Sequence, residues 1–377
     1  MAASSVFGAP LESVKRVAST DDGWSEALDQ AGDDVPDAAR NVTFMSAEYL
    51  QIILPNQLHT REQYFAARRP GRGVSLDRRK RDAVWSVVQA YRQAARRNGS
   101  LSYAEIAQVA AAYLNAASAA KVADHVLIDE AQDLSPSQWQ LLRALVPDGQ
   151  NDLFIADDTH QRIYGQRVVL SRYDIKVTGR SRRLTLNYRT TQQNLGYALG
   201  VLSGAEYVDA EETVESGGAY RSSRRGPAPR AVASKSRADQ DSAVEATVTA
   251  WLDEGAKPET IAVLARSQKL RDHVARLLSV GDVKATAAKD VDDIVDGRVV
   301  CMTMHSAKGM EFSRVLLYDV SEGAIPNMYF YKDVAQEDMP DKLLQERSLL
   351  YVAASRARDE LVVTWAGKPS QLLVGGA

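Results

Sequence analysis

The stretch from His125 to Ala156 constrains the architecture more than any other part of the sequence. It begins with a short apolar run, His125–Ile128, suited in length to a buried strand. Two acids follow at once, in the string Asp129-Glu130-Ala131-Gln132-Asp133. Ser135-Pro136 opens an amphipathic helix, Pro147-Asp148-Gly149 closes it, and a second apolar run follows at Leu153–Ala156. Strand–helix–strand is the unit of a parallel sheet, so an α/β fold is expected. Adjacent acids directly after a buried strand lie at its carboxyl end, where open α/β sheets hold ligands.

Composition narrows the alternatives. A chain of 377 residues can form two or three domains with proper cores. Its 45% hydrophobic and 25% charged residues are ordinary globular values, which excludes a disordered chain. The formal charge of −3 means that any nucleic-acid-binding surface must be local. The single cysteine, Cys301, excludes an internal disulfide framework and a cysteine-based metal cluster. His59, His125, His160, His273 and His305 show no ligand spacing. The first residues lack the charge and apolar core of a signal peptide, and no run of roughly eighteen apolar residues occurs. A cytoplasmic protein is the expectation.

Three regions separate by pattern. Residues 1–120 are Ala-rich and helical in character, with no convincing strand and with helices over Ala83–Ala95 and Tyr103–Leu114, the second capped by Ser102. Residues 121–183 carry the strand–helix–strand unit. From Leu184 onward, strands are expected at Ala231–Ser234, Ile261–Ala265, Arg298–Met304, Val315–Val320 and Leu361–Trp365. Helices are expected at 191–202, 239–254, 267–279 and 341–354. The polar, aperiodic stretch 209–230 reads as a mobile loop or linker.

A nucleoside-triphosphate hydrolase needs one carboxylate for the Mg²⁺ shell and another to orient and deprotonate water. Asp129 suits the first role and Glu130 the second; the plain alternative is a strand end followed by a solvated acidic loop. The extended string resembles the Walker B motif of the UvrD/Rep/PcrA family of superfamily 1 helicases, and four further strings follow in the family's order. Ala156-Asp157-Asp158-Thr159-His160-Gln161-Arg162-Ile163-Tyr164 resembles the third motif. There Gln161 is implied as γ-phosphate sensor and Tyr164 as a base-stacking ring. Leu186-Asn187-Tyr188-Arg189-Thr190-Thr191 resembles the fourth, with Arg189 toward the γ-phosphate. Thr303-Met304-His305-Ser306-Ala307-Lys308-Gly309-Met310-Glu311-Phe312 is similar to the fifth. There Gly309 and Glu311 would meet the nucleotide, and Thr303 and His305 the DNA. Leu350-Tyr351-Val352-Ala353-Ala354-Ser355-Arg356-Ala357 resembles the sixth, with Arg356 as arginine finger. His305 reads nearly as well as a satisfied loop histidine, and Lys308 as a solvated surface charge.

The resemblance implies RecA-like P-loop NTPase motor domains, the first one incomplete, with a helical 1B insertion. Residues 1–120 would be the DNA-binding insertion, 121–183 the C-terminal part of motor domain 1A, and 184–377 motor domain 2A. ATP and Mg²⁺ are the implied cofactors, and single-stranded or junction DNA the implied partner. Permanently charged arginine forks suit phosphate oxygens, and Arg189 and Arg356 would lie on a different domain from the acid pair.

Residues 61–97 hold eleven Lys/Arg against three acids. Arg68, Arg69, Arg72, Arg78, Arg79 and Arg81 are the expected sequence-independent phosphate contacts, while Trp85 and Tyr91 read as core. Departures from the family matter too. No G-x-x-x-x-G-K-[ST] string occurs, so the phosphate cradle is expected upstream or on a second polypeptide. Asp157 stands where the family has glycine, and the span from Thr191 to Thr303 leaves the large 2B insertion absent or vestigial. Two functions therefore remain open: a 3′→5′ ATP-dependent DNA helicase needing that missing segment, or an inactive remnant that binds DNA or a partner.

Overall fold

The computed structural model describes residues 15–373 apart from 18, 70, 71, 73, 117–120, 165–167, 210, 212, 213, 216–219, 328–335, 337 and 338. The first part is a helical unit. Strand β1 (Lys15–Val17) precedes α1 (Asp21–Ala31) and α2 (Val42–Glu48), which runs on through a π turn at Tyr49–Ile53. Helices α3 (Arg61–Ala66) and α4 (Arg78–Arg97) follow, then β2 (Ser100–Ser102) and α5 (Tyr103–Ala116). Side-chain oxygens start three of these helices: Asn41 accepts from Phe44 N, Thr60 from Gln63 N and Asp77 from Lys80 N. The inner face of α4 buries Val84, Trp85, Val87, Val88 and Tyr91, and the Tyr91 ring stacks on Trp24 with centroids 3.9 Å apart. Trp85 and Tyr91 are thus core, as their helical spacing suggests. The parallel β1–β2 pair corrects the expectation of no strand before residue 120; at three residues each, these strands are too short to show a period.

The strand–helix–strand unit forms as its sequence dictates. Strands β3 (Val126–Ile128) and β4 (Leu153–Ile155) pair in parallel, joined by α6 (Pro136–Leu145) with its Ser135–Gln138 capping box. Ile128 packs with Trp139, Leu170 and Ile175 on one face. On the other, the register partners Leu127 and Phe154 are 78% and 66% exposed.

The third part holds β5 (Leu186–Thr191), α7 (Gln192–Val201), β6 (Tyr207–Val208), β7 (Val214–Glu215), β8 (Arg221–Arg224) and β9 (Arg230–Ser234). Then come α8 (Arg237–Asp253), β10 (Ile261–Ala265), α9 (Gln268–Val280), β11 (Ala285–Ala287), β12 (Val299–Thr303), β13 (Phe312–Tyr318), α10 (Met339–Ser355) and β14 (Ala357–Ala366). Six strands form one parallel sheet in the order β11-β12-β10-β13-β14-β9. Both faces are covered, so its central strands read as unbroken apolar runs rather than alternations. Leu264, Met302 and Leu317 enter one core, while Val263, Cys301 and Leu316 enter the other.

The linker expected at 209–230 is corrected where it is described; part of it lies outside the described residues. Strand β8 pairs with β5, held by polar anchors that leave no apolar period to read. The Ser222 hydroxyl donates to Thr190 O at 2.6 Å, and Arg224 meets Asp359 at 2.5 Å.

Burial also revises the basic run. Glu48 is wholly buried and is bound by Arg69 at 2.5 Å and Arg72 at 2.9 Å, whose side chains are only 6% and 4% exposed. The Tyr64 hydroxyl donates to the same carboxylate at 2.8 Å. Arg81 Nη1 donates to the carbonyls of Tyr64, Phe65 and Ala67 at 2.8, 2.9 and 2.8 Å, closing the C-terminal end of α3. Arg69, Arg72 and Arg81 are therefore internal ties rather than the DNA contacts expected of them.

Burial alone would raise the Glu48 carboxyl pKa, but the bonds and charges of Arg69 and Arg72 outweigh it and hold it below the usual range. Its stabilising contribution is then present above the unfolded-state value and is lost as pH falls through the lowered folded value. Glu48→Ala, which strands two buried guanidinium groups, should cost about 3–5 kcal/mol in urea unfolding at neutral pH. A loss below about 1 kcal/mol, the range of surface pairs, would contradict the buried arrangement.

Candidate nucleotide and DNA site

The acid pair lies at the carboxyl end of β3. Asp129 and Glu130 are both exposed, and Glu130 adopts a left-handed backbone with φ 50°. Such a conformation costs a non-glycine residue about 1–3 kcal/mol and persists only where neighbours enforce it. Here Glu130 N donates to Asp129 Oδ1 at 2.9 Å, and Gln132 Nε2 donates to Glu130 Oε2 at 2.5 Å. Gln132 Oε1 in turn accepts from Asp158 N at 3.1 Å, tying the ends of β3 and β4 together.

Gln161 follows β4 in a short 3-10 turn and donates through Nε2 to Asp158 Oδ2 at 2.7 Å. Burial would raise the Asp158 carboxyl, but His160 and Gln161 hold it below the usual carboxylate range. Asp157, at the position of the family glycine, is exposed and 3.4 Å from the Thr159 hydroxyl.

The large sheet approaches from the other side. Arg356, just past α10, is 4% exposed. It donates from Nη2 to Gln161 Oε1 at 3.3 Å and from Nη1 to Met310 O at 3.1 Å. Burial, and then the nearby Arg189 charge, lower its affinity for its proton. Arg189 is exposed and pairs with Glu311 at 2.7 Å. Gly309 has φ 78°, which demands glycine there although a side chain would meet nothing within 4 Å.

Of the two readings open for Lys308, the structure excludes the solvated surface charge. Its side chain is 10% exposed. The ammonium donates to Asp133 Oδ2 at 2.6 Å and to Gln161 O at 2.8 Å, and lies 3.5 Å from Glu130 Oε2. Burial raises the Asp133 carboxyl, with Lys308 opposing, and its Oδ1 is buried without a partner. The sequence-expected residues Glu130, Gln161 and Arg356 are thus brought together, with Arg189 and Glu311 paired beside them.

The DNA set divides. Arg68, Arg78 and Arg79 are exposed. Tyr164 is 46% exposed, its ring centroid 6.0 Å from that of His305. Burial and Arg266 push the His305 imidazole down to about 4, so it offers a neutral ring at physiological pH. Thr303 is buried and its hydroxyl binds Ser306 Oγ at 3.0 Å, holding a turn rather than facing outward as expected. Tyr188, passed over in the sequence reading, is 72% exposed beside Arg189.

Mg²⁺ commonly takes one or two carboxylates, with waters and phosphates completing its shell. Exposed Asp129 at a strand end fits that mode. No group of three or more potential ligands occurs among the described residues, which excludes only an all-protein cage.

Acids at the ends of one parallel pair, faced by Arg356 just before a strand of the six-stranded parallel sheet and by Arg189 on the neighbouring β5–β8 pair, fit a RecA-like motor-domain architecture. Models of the UvrD/REP helicase N-terminal domain and the UvrD-like helicase C-terminal domain match residues 37–169 and 281–368, together more than half of the chain. The chain belongs to the UvrD/Rep/PcrA family of superfamily 1 helicases. A "Probable DNA helicase" of Mycoplasma pneumoniae is 29% identical over 246 residues, covering 63% of this chain and 42% of that protein. The ATP-dependent DNA helicase Rep of Buchnera aphidicola is 30% identical over 125 residues, covering 32% and 16%. The chain thus spans less than half the length of these relatives. The C-terminal domain of a possible DNA helicase from Lactobacillus plantarum superposes with TM-score 0.36 at 22% identity, over 50% of this chain and 92% of that one. No helix among the described residues is long and apolar enough to cross a membrane.

Lys308→Met should destabilise the chain by about 1–3 kcal/mol in urea unfolding, because the half-buried Asp133 loses its cation. Unchanged stability would mean that the ammonium is solvated after all.

Proposed function

We propose that this chain is part of an ATP-dependent DNA helicase motor of the UvrD/Rep type, translocating 3′→5′ by its family resemblance. The observation that carries the reading is the meeting of Gln161 with Arg356 and of Lys308 with the Glu130–Asp133 loop, across two separate parallel sheets. Arg189 and Arg356 carry like charges close enough to perturb one another, and a polyphosphate between them relieves that repulsion. Glu130 orients and deprotonates the attacking water, Asp129 holds the Mg²⁺ shell, and Gln161 senses the terminal phosphate. Glu311 and Gly309 line the nucleotide edge, where exposed Tyr188 offers a flat apolar face.

In this reading residues 1–120 form the DNA-facing insertion, 121–183 part of motor domain 1A and 184–377 domain 2A. ATP supplies the driving force when bound, and drawing the two sheets together around it is the stroke. The phosphate cradle comes from a further stretch of polypeptide, in this gene product or in a partner. Parallel sheets are ordinarily covered on both faces, and exposed Leu127 and Phe154 offer that segment an apolar seat beside Asp129.

Single-stranded DNA then runs past Tyr164 and His305 and under Arg68, Arg78 and Arg79. Arg78→Glu with Arg79→Glu should weaken oligo-dT binding and reduce its salt slope by roughly one to two, given about 0.7 per phosphate contact on single strands. Arg81→Glu should instead unfold the helical unit. Oligo-dT affinity and salt slope unchanged in the folded double variant would rule out this DNA face.

A further inference from the structure

Strands β10 and β12 are neighbours, with Ala265 paired to Thr303 and Met304 N donating to Ala265 O at 2.8 Å. Arg266 and His305, just past the two strand ends, therefore lie close together at the carboxyl edge of the sheet. Arg266 belongs to none of the motif strings. Its side chain, 9% exposed, turns inward to Glu346 of α10, which is 2% exposed. Nε donates to both carboxylate oxygens, at 3.1 and 3.0 Å, and Nη2 donates to Oε1.

An ion pair taken this far out of water is weak evidence for stability, since desolvation can exceed the attraction gained. Its geometry suggests another use. Tyr164 faces His305, and His305 feels the charges of both Arg266 and Glu346. Helix α10 runs as one rigid element from Glu346 to Ser355, and Arg356 then reaches Gln161, three residues before Tyr164. The contacts Arg266–Glu346, Arg356–Gln161 and Tyr164–His305 are linked by α10 at one end and by the adjoining ends of β10 and β12 at the other.

We propose that Arg266 and Glu346 are positioning residues that tie the ring pair Tyr164–His305 to Arg356 through α10. A DNA strand seated at the rings then shifts the guanidinium at the other end of the helix. This rests on the DNA reading above. The pair touches neither nucleotide nor strand; it fixes the distance between the groups that do.

Two measurements on the full chain test it. In an NMR titration, Arg266→Met should raise the His305 pKa from about 4 toward its ordinary value, and Glu346→Gln should lower it further. A histidine that moves in neither variant would overturn this linkage at its first contact. The second measurement is hydrogen exchange with and without dT16. In the wild type, dT16 should alter protection of the amides from Val352 to Arg356. The double variant Arg266→Met with Glu346→Met replaces the buried pair by apolar groups and should keep the fold. It should bind dT16 about tenfold more weakly and, once saturated, leave those amides unchanged. A folded double variant that transmits the full change would refute the positioning role. No binding of dT16 by the wild type would overturn the DNA reading itself, coupling included, while the titration tests the pair alone.

Discussion

A lysine ammonium taken out of water must find anions or carbonyls, and Lys308 finds Asp133, Glu130 and the Gln161 carbonyl on the loops of the opposite sheet. That constraint sets the closed arrangement of the cleft. Lys308 holds the loop after β3 through Asp133 and Glu130, and the turn after β4 through Gln161 O. With both loops fixed, the Gln161 side chain can reach Arg356. The same ammonium neutralises part of the negative charge at the strand end, which an incoming anionic nucleotide would otherwise meet. Under the proposed function, a nucleotide entering here would compete with Lys308 for these groups or work beside it, coupling occupancy of the cleft to the spacing of the two sheets.

Sequence and structure agree where the physics is local and periodic. The apolar runs at 261–265 and 299–303 became central strands because both faces of the large sheet are covered, and the Ser135-Pro136 start became a capped helix. Glu130, Gln161 and Arg356, which the structure brings near one another, were legible because motif order carried them. What stayed hidden depended on partners distant in sequence. Glu48 lies more than twenty residues from Arg69, so nothing in the basic run marks two of its arginines as internal. Lys308 and Asp133 are separated by 175 positions, and Arg266 and Glu346 by 80. Strand β8 went unread because serine and arginine anchors, not apolar alternation, hold it in place.

The departures from the family acquire physical content here. Asp157 adds an exposed carboxylate where a glycine would allow close backbone approach. The apolar face at Leu127 and Phe154 is a cost borne by a parallel pair until something covers it, and it adjoins Asp129 and Glu130.

DNA-stimulated ATP hydrolysis tests the proposed function most directly. The 377-residue chain alone should show no turnover above background, and adding a strand–phosphate-loop–helix segment should produce turnover that Glu130→Gln abolishes. Robust hydrolysis by the chain alone, unaffected by Glu130→Gln, would contradict the account.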